Sequence, residues 1–140
     1  MRIAVVVVRV SGRALQEFAK ALANGFALAG HEADLLDART EDGQMAGGLR
    51  LPGYDYLALV TEPASPFSAR LPETLSRILA SGGGLVGKRG SAFVRKSGFR
   101  SGATLANVMS AMEKEGIVVN WSELLSSPSQ ARAVGESIGR

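Results

Sequence analysis

The chain has 140 residues, of which 46% are hydrophobic and 21% charged, a composition typical of a globular domain. No apolar stretch approaches the roughly 20 residues of a membrane-spanning helix, so we expect no membrane association. The absence of cysteine excludes disulfides, thiolate catalysis and cysteine-ligated metals. The first residues resemble a strand rather than a secretory signal, and the lack of cysteine is consistent with the expectation of a reducing cytoplasm.

The first half of the chain predicts strand, helix, strand, loop and strand. Residues 2–8 form a continuous β-branched run, typical of a buried strand. Apolar residues then recur at helical spacing over 14–29, and Gly30 ends that helix. Residues 31–37 alternate between apolar and polar, which indicates an edge strand. A glycine-rich loop over 39–53 leads into a third strand at 56–60.

The second half continues the alternation of helices and strands. A short helix is predicted to begin at Pro72, followed by a strand at 91–94, a helix at 103–115 and a strand at 117–121. Ser127 and Pro128 are a favourable N-cap and first-turn pair for a last helix.

This alternation predicts one α/β domain over residues 1–140, a doubly wound five-stranded parallel sheet with helices on both faces. The two most apolar strands should be central and 31–37 should lie at an edge, which gives the strand order 2-1-3-4-5. Ligands of such sheets bind beyond the carboxyl ends of the strands at the switch point between strands one and three. The loops 9–14, 61–72 and 95–104 are predicted to meet there.

Several catalytic motifs are incomplete. The stretch GGGLVGKRG at 82–90 resembles a phosphate-binding P-loop, but Arg89 replaces the magnesium-binding hydroxyl and the loop runs from helix to strand. His31, the single histidine, is predicted at the opposite end of the sheet, too far away to form a catalytic triad. Hydrolysis therefore has few candidate residues, and no metal site is predicted.

Positive charge is concentrated in the second half. No Asp or Glu occurs from Thr74 to Met112. The basic residues there either form a solvated surface or meet an anionic ligand or an acidic protein; the predicted basic rim comprises Lys88, Arg89, Arg95, Lys96 and Arg100. Nucleic acid is not favoured, since the loops offer only Phe67 and Phe99 for base stacking.

Two long stretches resemble a known family. The opening MRIAVVVVRVSGRALQEFAKALANGFALAGHEADLLD and the later GKRGSAFVRKSGFRSGATLANVMSAMEKEGIVV are similar to flavodoxin-like proteins, namely flavodoxins and the related NAD(P)H-dependent FMN or quinone reductases. The resemblance lies in element order and loop spacing rather than in an intact motif. It implies the same fold and an FMN held at the carboxyl ends of the strands.

The first loop of that family binds the FMN phosphate through the pattern Ser/Thr-x-Ser/Thr-Gly-x-Ser/Thr. The matching stretch is RVSGRA, where Ser11 and Gly12 fit the pattern while Arg9 and Ala14 depart from it. Two hydroxyl donors are therefore missing. Arg13 and Arg9 are candidates to replace them with charge-assisted contacts.

The other two family loops flank the flavin ring. Thr61 and Pro63 resemble the start of the second loop, and Phe67, its single aromatic residue, either flanks the flavin or packs the loop down. Glu62 either faces solvent or repels an anionic ligand. In the third loop the resemblance implies binding by Ser97, Gly98 and Gly102, while Phe99 is either a second aromatic wall or an anchor for the loop.

Two functions of different classes follow. In the first, the protein binds FMN and acts in electron transfer or in NAD(P)H-dependent reduction of flavins or quinones, with a homodimer as the assembly found among related reductases. In the second, the domain has lost FMN and serves as a ligand- or protein-binding module, since this fold hosts many functions. Whether the protein is an enzyme depends on which interpretation holds.

Overall fold

The computed structural model describes residues 1–10, 14–37, 53–64, 71, 73–81 and 85–139. Strands and helices alternate along these residues. They are β1 (Arg2–Val8), α1 (Ala14–Leu28), β2 (Glu32–Asp37), β3 (Tyr56–Thr61), α2 (Glu73–Ser81), β4 (Arg89–Arg95), α3 (Ser101–Lys114), β5 (Val118–Leu125) and α4 (Pro128–Gly139).

The five strands form one parallel sheet in the order β2-β1-β3-β4-β5, which confirms the predicted fold and strand order. The continuous apolar runs explain the position of the central strands, because β3 and all of β1 beyond its first residue are buried. The alternating strand β2 lies at one edge with residues partly exposed, as its pattern predicts.

Helices cover both faces of the sheet, and the side chains of β1 divide between two cores. Ile3, Val5 and Val7 pack in the core that includes apolar residues of α1 and α4. Ala4, Val6 and Val8 pack in the other core with apolar residues of α2 and α3. This division follows from the two-residue side-chain period of a strand.

Helices α1 and α4 approach so closely that glycine is required at their contact. A Cβ atom added to Gly25 would lie 2.1 Å from the carbonyl oxygen of Arg132, and one added to Gly135 would lie 2.4 Å from that of Leu22. Because both obstacles are backbone atoms, a larger residue would force the helices apart. This contact fixes α4 against the face of the sheet that α1 covers.

The predicted elements are confirmed, but several boundaries differ. Strand β4 extends beyond 91–94 to include the charged residues Arg89 and Arg95, because main-chain pairing continues past the apolar run, to β3 at Arg89 and to β5 at Arg95. Strand β5 continues to Leu125 for the same reason, through polar positions at the edge of the sheet.

Most of the predicted loop 39–53 lies outside the described residues. None of the described helices is long and apolar enough to cross a membrane.

Candidate functional site

The carboxyl ends of β1, β3 and β4 lie side by side. Val8 pairs with Thr61, and Thr61 pairs with Val94, so these three residues form the last paired row across the strands. The next residues along the chain are Arg9, Glu62 and Arg95. We call the region formed by Arg9, Val10, Glu62 and Arg95 the carboxyl end of the sheet.

Glu62 is buried at this end, with only 3% of the residue exposed. Its Oε1 accepts a hydrogen bond from the backbone N–H of Val10 at 2.8 Å. Its Oε2 lies 3.3 Å from Nε of Arg95, which donates to it. A buried carboxylate is stable only when paired and hydrogen-bonded, and here one side chain receives both kinds of contact. Glu62 thereby joins the ends of β1, β3 and β4.

A second ion pair extends the arrangement toward β2. The guanidinium of Arg9 lies 3.0 Å from Oδ2 of Asp37, which also accepts a hydrogen bond from the Gln16 amide at 3.0 Å. In sheet order the charges at the ends of β2, β1, β3 and β4 are therefore negative, positive, negative and positive. Arg9, which was a candidate phosphate ligand, is paired with an acid of its own chain.

Thr61 contributes its hydroxyl to the sheet. The side chain is fully buried, and Oγ1 donates a hydrogen bond to the carbonyl oxygen of Val8 at 2.9 Å. This bond holds the end of β3 against the end of β1 just before both chains leave the sheet. The hydroxyl of this predicted site residue is thus used within the protein.

The loop between β4 and α3 is fixed at both of its ends. The Ser101 hydroxyl accepts a hydrogen bond from the Ser97 N–H at 2.8 Å and donates one to the Ser97 carbonyl oxygen at 2.7 Å. The backbone N–H of Lys96 donates to the carbonyl oxygen of Leu125. Gly98 turns the chain with a φ of +74°, a conformation that favours glycine.

The tip of this loop presents an aromatic ring to solvent. Phe99 is 87% exposed, so it is not a buried anchor of the loop. Gly102 lies in the first turn of α3 and has open space where a side chain would stand. A flat ligand therefore has both an apolar ring and an unobstructed backbone to contact at this loop.

The structure describes some of the predicted site residues and not others. Ser11, Gly12, Arg13 and Phe67 lie outside the described residues. Thr61 at the end of β3 and Pro63 just after it are described, as are Ser97 and Gly98 in the β4–α3 loop and Gly102 in the first turn of α3. Pro63 and Ser97 are half-buried, whereas Gly98 and Gly102 are exposed.

The predicted basic rim is divided between two ends of the sheet. Arg95, Lys96 and Arg100 follow or end β4, whereas Lys88 and Arg89 stand at its start. Six residue steps along a strand separate Arg89 from Arg95 by about 20 Å. The five residues thus do not form one continuous surface, because the length of β4 lies between them.

A cavity of about 660 Å³ opens at the opposite, amino end of the sheet. Its lining includes Tyr56, Lys88 and Asn120. The Lys88 ammonium donates to the carbonyl oxygen of Tyr54, and the Tyr56 hydroxyl donates to Oδ1 of Asn120 at 2.7 Å. These polar groups therefore contact other groups of the protein. His31 also lies at this end, where its ring contacts the Gly139 carbonyl oxygen.

Sequence reasoning missed the constellation of Glu62, Val10 and Arg95. It weighed Glu62 only as a solvent-facing or repulsive residue. The available signal was the order of the strands: three predicted parallel strands end at Val8, Val60 and Val94, so the segments after them must be neighbours. Which atoms of those neighbours form bonds is decided by side-chain geometry that the pattern does not contain.

Comparison with solved structures identifies the fold. The chain is similar to the two-electron reduced flavodoxin of Megasphaera elsdenii, with a TM-score of 0.74, 16% sequence identity and coverage of 98% of each chain. It is also similar to a WrbA-like flavodoxin from Agrobacterium tumefaciens, with a TM-score of 0.71 and 15% identity over 99% of this chain and 94% of that one.

A flavodoxin from the domain Archaea gives a TM-score of 0.69 at 15% identity, over 99% of this chain and 96% of the other. No protein-family model matches the chain, and no curated protein matches it either. The protein thus has the flavodoxin-like fold over nearly its whole length.

The described residues fit the two parts of an FMN molecule differently. At the β4–α3 loop, Phe99 and the open backbone at Gly102 suit a flat ring system. At the β1–α1 junction, the N–H of Val10 is bonded to a buried carboxylate. A phosphate group placed there would meet a like charge, so its ester end does not fit these residues as they stand.

Proposed function

We propose that this protein binds a flavin at the carboxyl end of the sheet. Its function is electron transfer or NAD(P)H-dependent reduction of flavins or quinones. FMN is the flavin that the family resemblance implies. The similarity to three flavodoxins over nearly the whole chain supports this assignment, as does the position of the switch point between β1 and β3.

The observation that carries the proposal is the exposed Phe99 ring on a fixed loop. An apolar ring that is 87% exposed is unfavourable in water, whereas stacking against a flat ligand removes it from water. The Ser97–Ser101 hydrogen bonds hold the loop in place beside the carboxyl end of β4. The ring is therefore presented in advance, and little ordering of the loop is required on binding.

The residues of this chain have distinct tasks in the proposal. Phe99 stacks on the ring, Gly98 and Gly102 allow close approach of the backbone, and Ser97 shapes the loop. Ser11, Gly12, Arg13, Pro63 and Phe67 are the remaining residues proposed to line the site. A bound flavin would supply the redox chemistry itself, while the protein orients it and sets its electrostatic surroundings.

The test is a titration of the purified protein with FMN and with riboflavin, followed by quenching of flavin fluorescence. Saturable quenching at micromolar concentration is expected. Phe99→Ala should weaken flavin binding about tenfold, the loss expected for one stacking contact. Val86→Ala is the matched control, because Val86 is 86% exposed but precedes β4 at the amino end of the sheet.

Equal affinities in the wild type and in Phe99→Ala would contradict the assigned role of Phe99. The absence of quenching by either flavin would contradict the proposed function. If flavin binds, NADPH oxidation in the presence of a quinone tests whether the protein is a reductase, and its absence would favour electron transfer.

A second candidate function is a binding module that holds no flavin. It is favoured by Glu62, which accepts the hydrogen bond from the Val10 N–H at the junction where flavodoxin-like proteins bind phosphate. In that case Arg95, Lys96 and Arg100 are the residues that would meet an anionic ligand or an acidic protein. This candidate predicts no quenching by either flavin at concentrations up to about 1 mM.

A further inference from the structure

In parallel sheets, an anion is generally favoured where a strand leads into the helix that follows it. Backbone N–H groups at the start of a helix carry partial positive charge, and the switch point brings the ends of β1 and β3 together there. The first described donor after β1 is the N–H of Val10, and it points to Oε1 of Glu62 at 2.8 Å. The chain thus supplies a negative group of its own at this junction.

We propose that Glu62 acts as an internal anion that takes the place of a ligand phosphate. The site would then accept a flavin whose side chain ends in an uncharged group, with riboflavin as the representative, in preference to the phosphate ester. This inference rests on the proposed flavin binding and specifies the class of flavin.

The charge balance around Glu62 supports this preference. Arg95 is paired with Glu62 and Arg9 is paired with Asp37, so both of these arginines already contact acids of this chain. A phosphate monoester carries a charge of about −1.5 to −2 at pH 7. Placed beside the carboxylate it would be repelled, since a buried charge is poorly screened by salt.

The structure also shows why the carboxylate does not simply move away. Glu62 is buried between the ends of β1 and β4, and each of its oxygens has a contact there. Releasing it would leave the Val10 N–H without its acceptor and the Arg95 guanidinium without its pair. Accommodating phosphate therefore requires loss of these contacts, whereas an uncharged hydroxyl group leaves them intact.

The test compares riboflavin, FMN and inorganic phosphate as probes. We expect the wild-type protein to bind riboflavin at least as tightly as FMN. In Glu62→Gln the acceptor for Val10 is retained and the charge is removed, so the affinity for FMN relative to riboflavin should rise at least tenfold. Inorganic phosphate should then raise the melting temperature of Glu62→Gln more than that of the wild type at equal ionic strength.

Glu113→Gln is the matched control, because it removes the same charge from an exposed position near the carboxyl end of α3. It should leave the ratio of the two flavin affinities unchanged. The ratio of the FMN and riboflavin affinities can be measured on the wild type alone, so the proposal stays testable even if Glu62→Gln does not fold.

The outcomes separate this inference from the proposed function. A wild-type protein that binds FMN at least tenfold more tightly than riboflavin overturns the inference and leaves flavin binding intact. An unchanged affinity ratio in Glu62→Gln also overturns it. If neither protein binds flavin but phosphate stabilises only Glu62→Gln, the proposed function fails and the role of Glu62 stands. If neither protein binds flavin and phosphate has the same effect on the wild type and on Glu62→Gln, the proposed function and the role of Glu62 are both overturned.

Discussion

The two ends of the sheet each carry an acid–base pair, and the pairs differ in burial. At the carboxyl end, the side chains of Glu62 and Arg95 are 4% and 30% exposed. At the amino end, a guanidinium nitrogen of Arg2 lies 3.6 Å from Oδ2 of Asp34, and these side chains are 49% and 40% exposed. Water surrounds the Arg2–Asp34 pair, whereas it is largely excluded from Glu62 in the other pair. Similar chemistry therefore has different consequences for stability at the two ends.

The partners of the two acids show the same contrast. Glu62 accepts a backbone N–H from a neighbouring chain segment that has left the sheet. Asp34 accepts the hydroxyl of Tyr54, whose ring also stacks with the Arg2 guanidinium at 4.8 Å. Removing Asp34 exposes groups that water can solvate, whereas removing Glu62 leaves groups that water reaches poorly. Burial of the partners, rather than the number of contacts, separates the two ends.

The largest effect is expected from Glu62→Ala. It removes the acceptor of the Val10 N–H and the partner of Arg95, and we expect a loss of about 3 kcal/mol in the free energy of unfolding. The measurement is urea denaturation followed by circular dichroism. Asp34→Ala is the comparison variant at the other end of the sheet. A loss below about 1 kcal/mol for Glu62→Ala would show that its burial has little energetic consequence.

A smaller, pH-dependent effect is expected at Tyr56, which is buried near the amino end of the sheet. Burial is the main cause that raises the pKa of Tyr56 above its ordinary value of 10.0. The unfolded chain therefore loses the phenol proton at a lower pH than the folded protein. The resulting contribution to stability is fully present below pH 10.0 and is lost as the pH rises through the folded-state pKa.

Tyr56→Phe should remove this part of the pH dependence. Thermal denaturation between about pH 8 and pH 11 should show a steeper decline for the wild type than for the variant. At neutral pH the variant should lose about 1 kcal/mol, since the hydroxyl no longer donates to Asn120. Parallel curves for the two proteins above pH 10 would contradict the prediction.

The smallest effect is expected from Asp34→Asn. The exposed pair with Arg2 should contribute less than about 1 kcal/mol, and the amide retains an oxygen acceptor for Tyr54. The difference from the wild type should shrink further in 1 M NaCl, where the Debye length is about 3 Å. Urea denaturation at low and high salt measures it, and a loss larger than that of Glu62→Ala would reverse the contrast between the two ends.

The sequence predicted the elements well because their signals are local. The apolar run of β1 and the helical spacing in α1 each depend on neighbours within one element. The strand order also followed from burial, since the alternating β2 had to lie at an edge. The strand ends were less accurate, because main-chain pairing with β3 and β5 carries β4 out to Arg89 and Arg95, which the apolar pattern does not mark.

The candidate site was predictable in position but not in its chemistry. Parallel strands with this order bring the segments after β1, β3 and β4 together, and the sequence alone implies that. It left open whether Phe99 anchors its loop, and the structure exposes the ring at the loop tip. It also treated the basic residues as one rim, although the length of β4 separates Arg89 from Arg95.

By itself, the sequence determined the α/β fold, the strand order and the end of the sheet at which a ligand is expected, because periodicity and burial follow from local residue patterns. Only the tertiary structure decided that Glu62 is buried between Val10 and Arg95, because those residues are more than 30 positions apart from Glu62 along the chain. A contact between such distant residues depends on how the strands pair and how the side chains pack. The charge of the ligand proposed for this site therefore depends on a contact that only the folded protein contains.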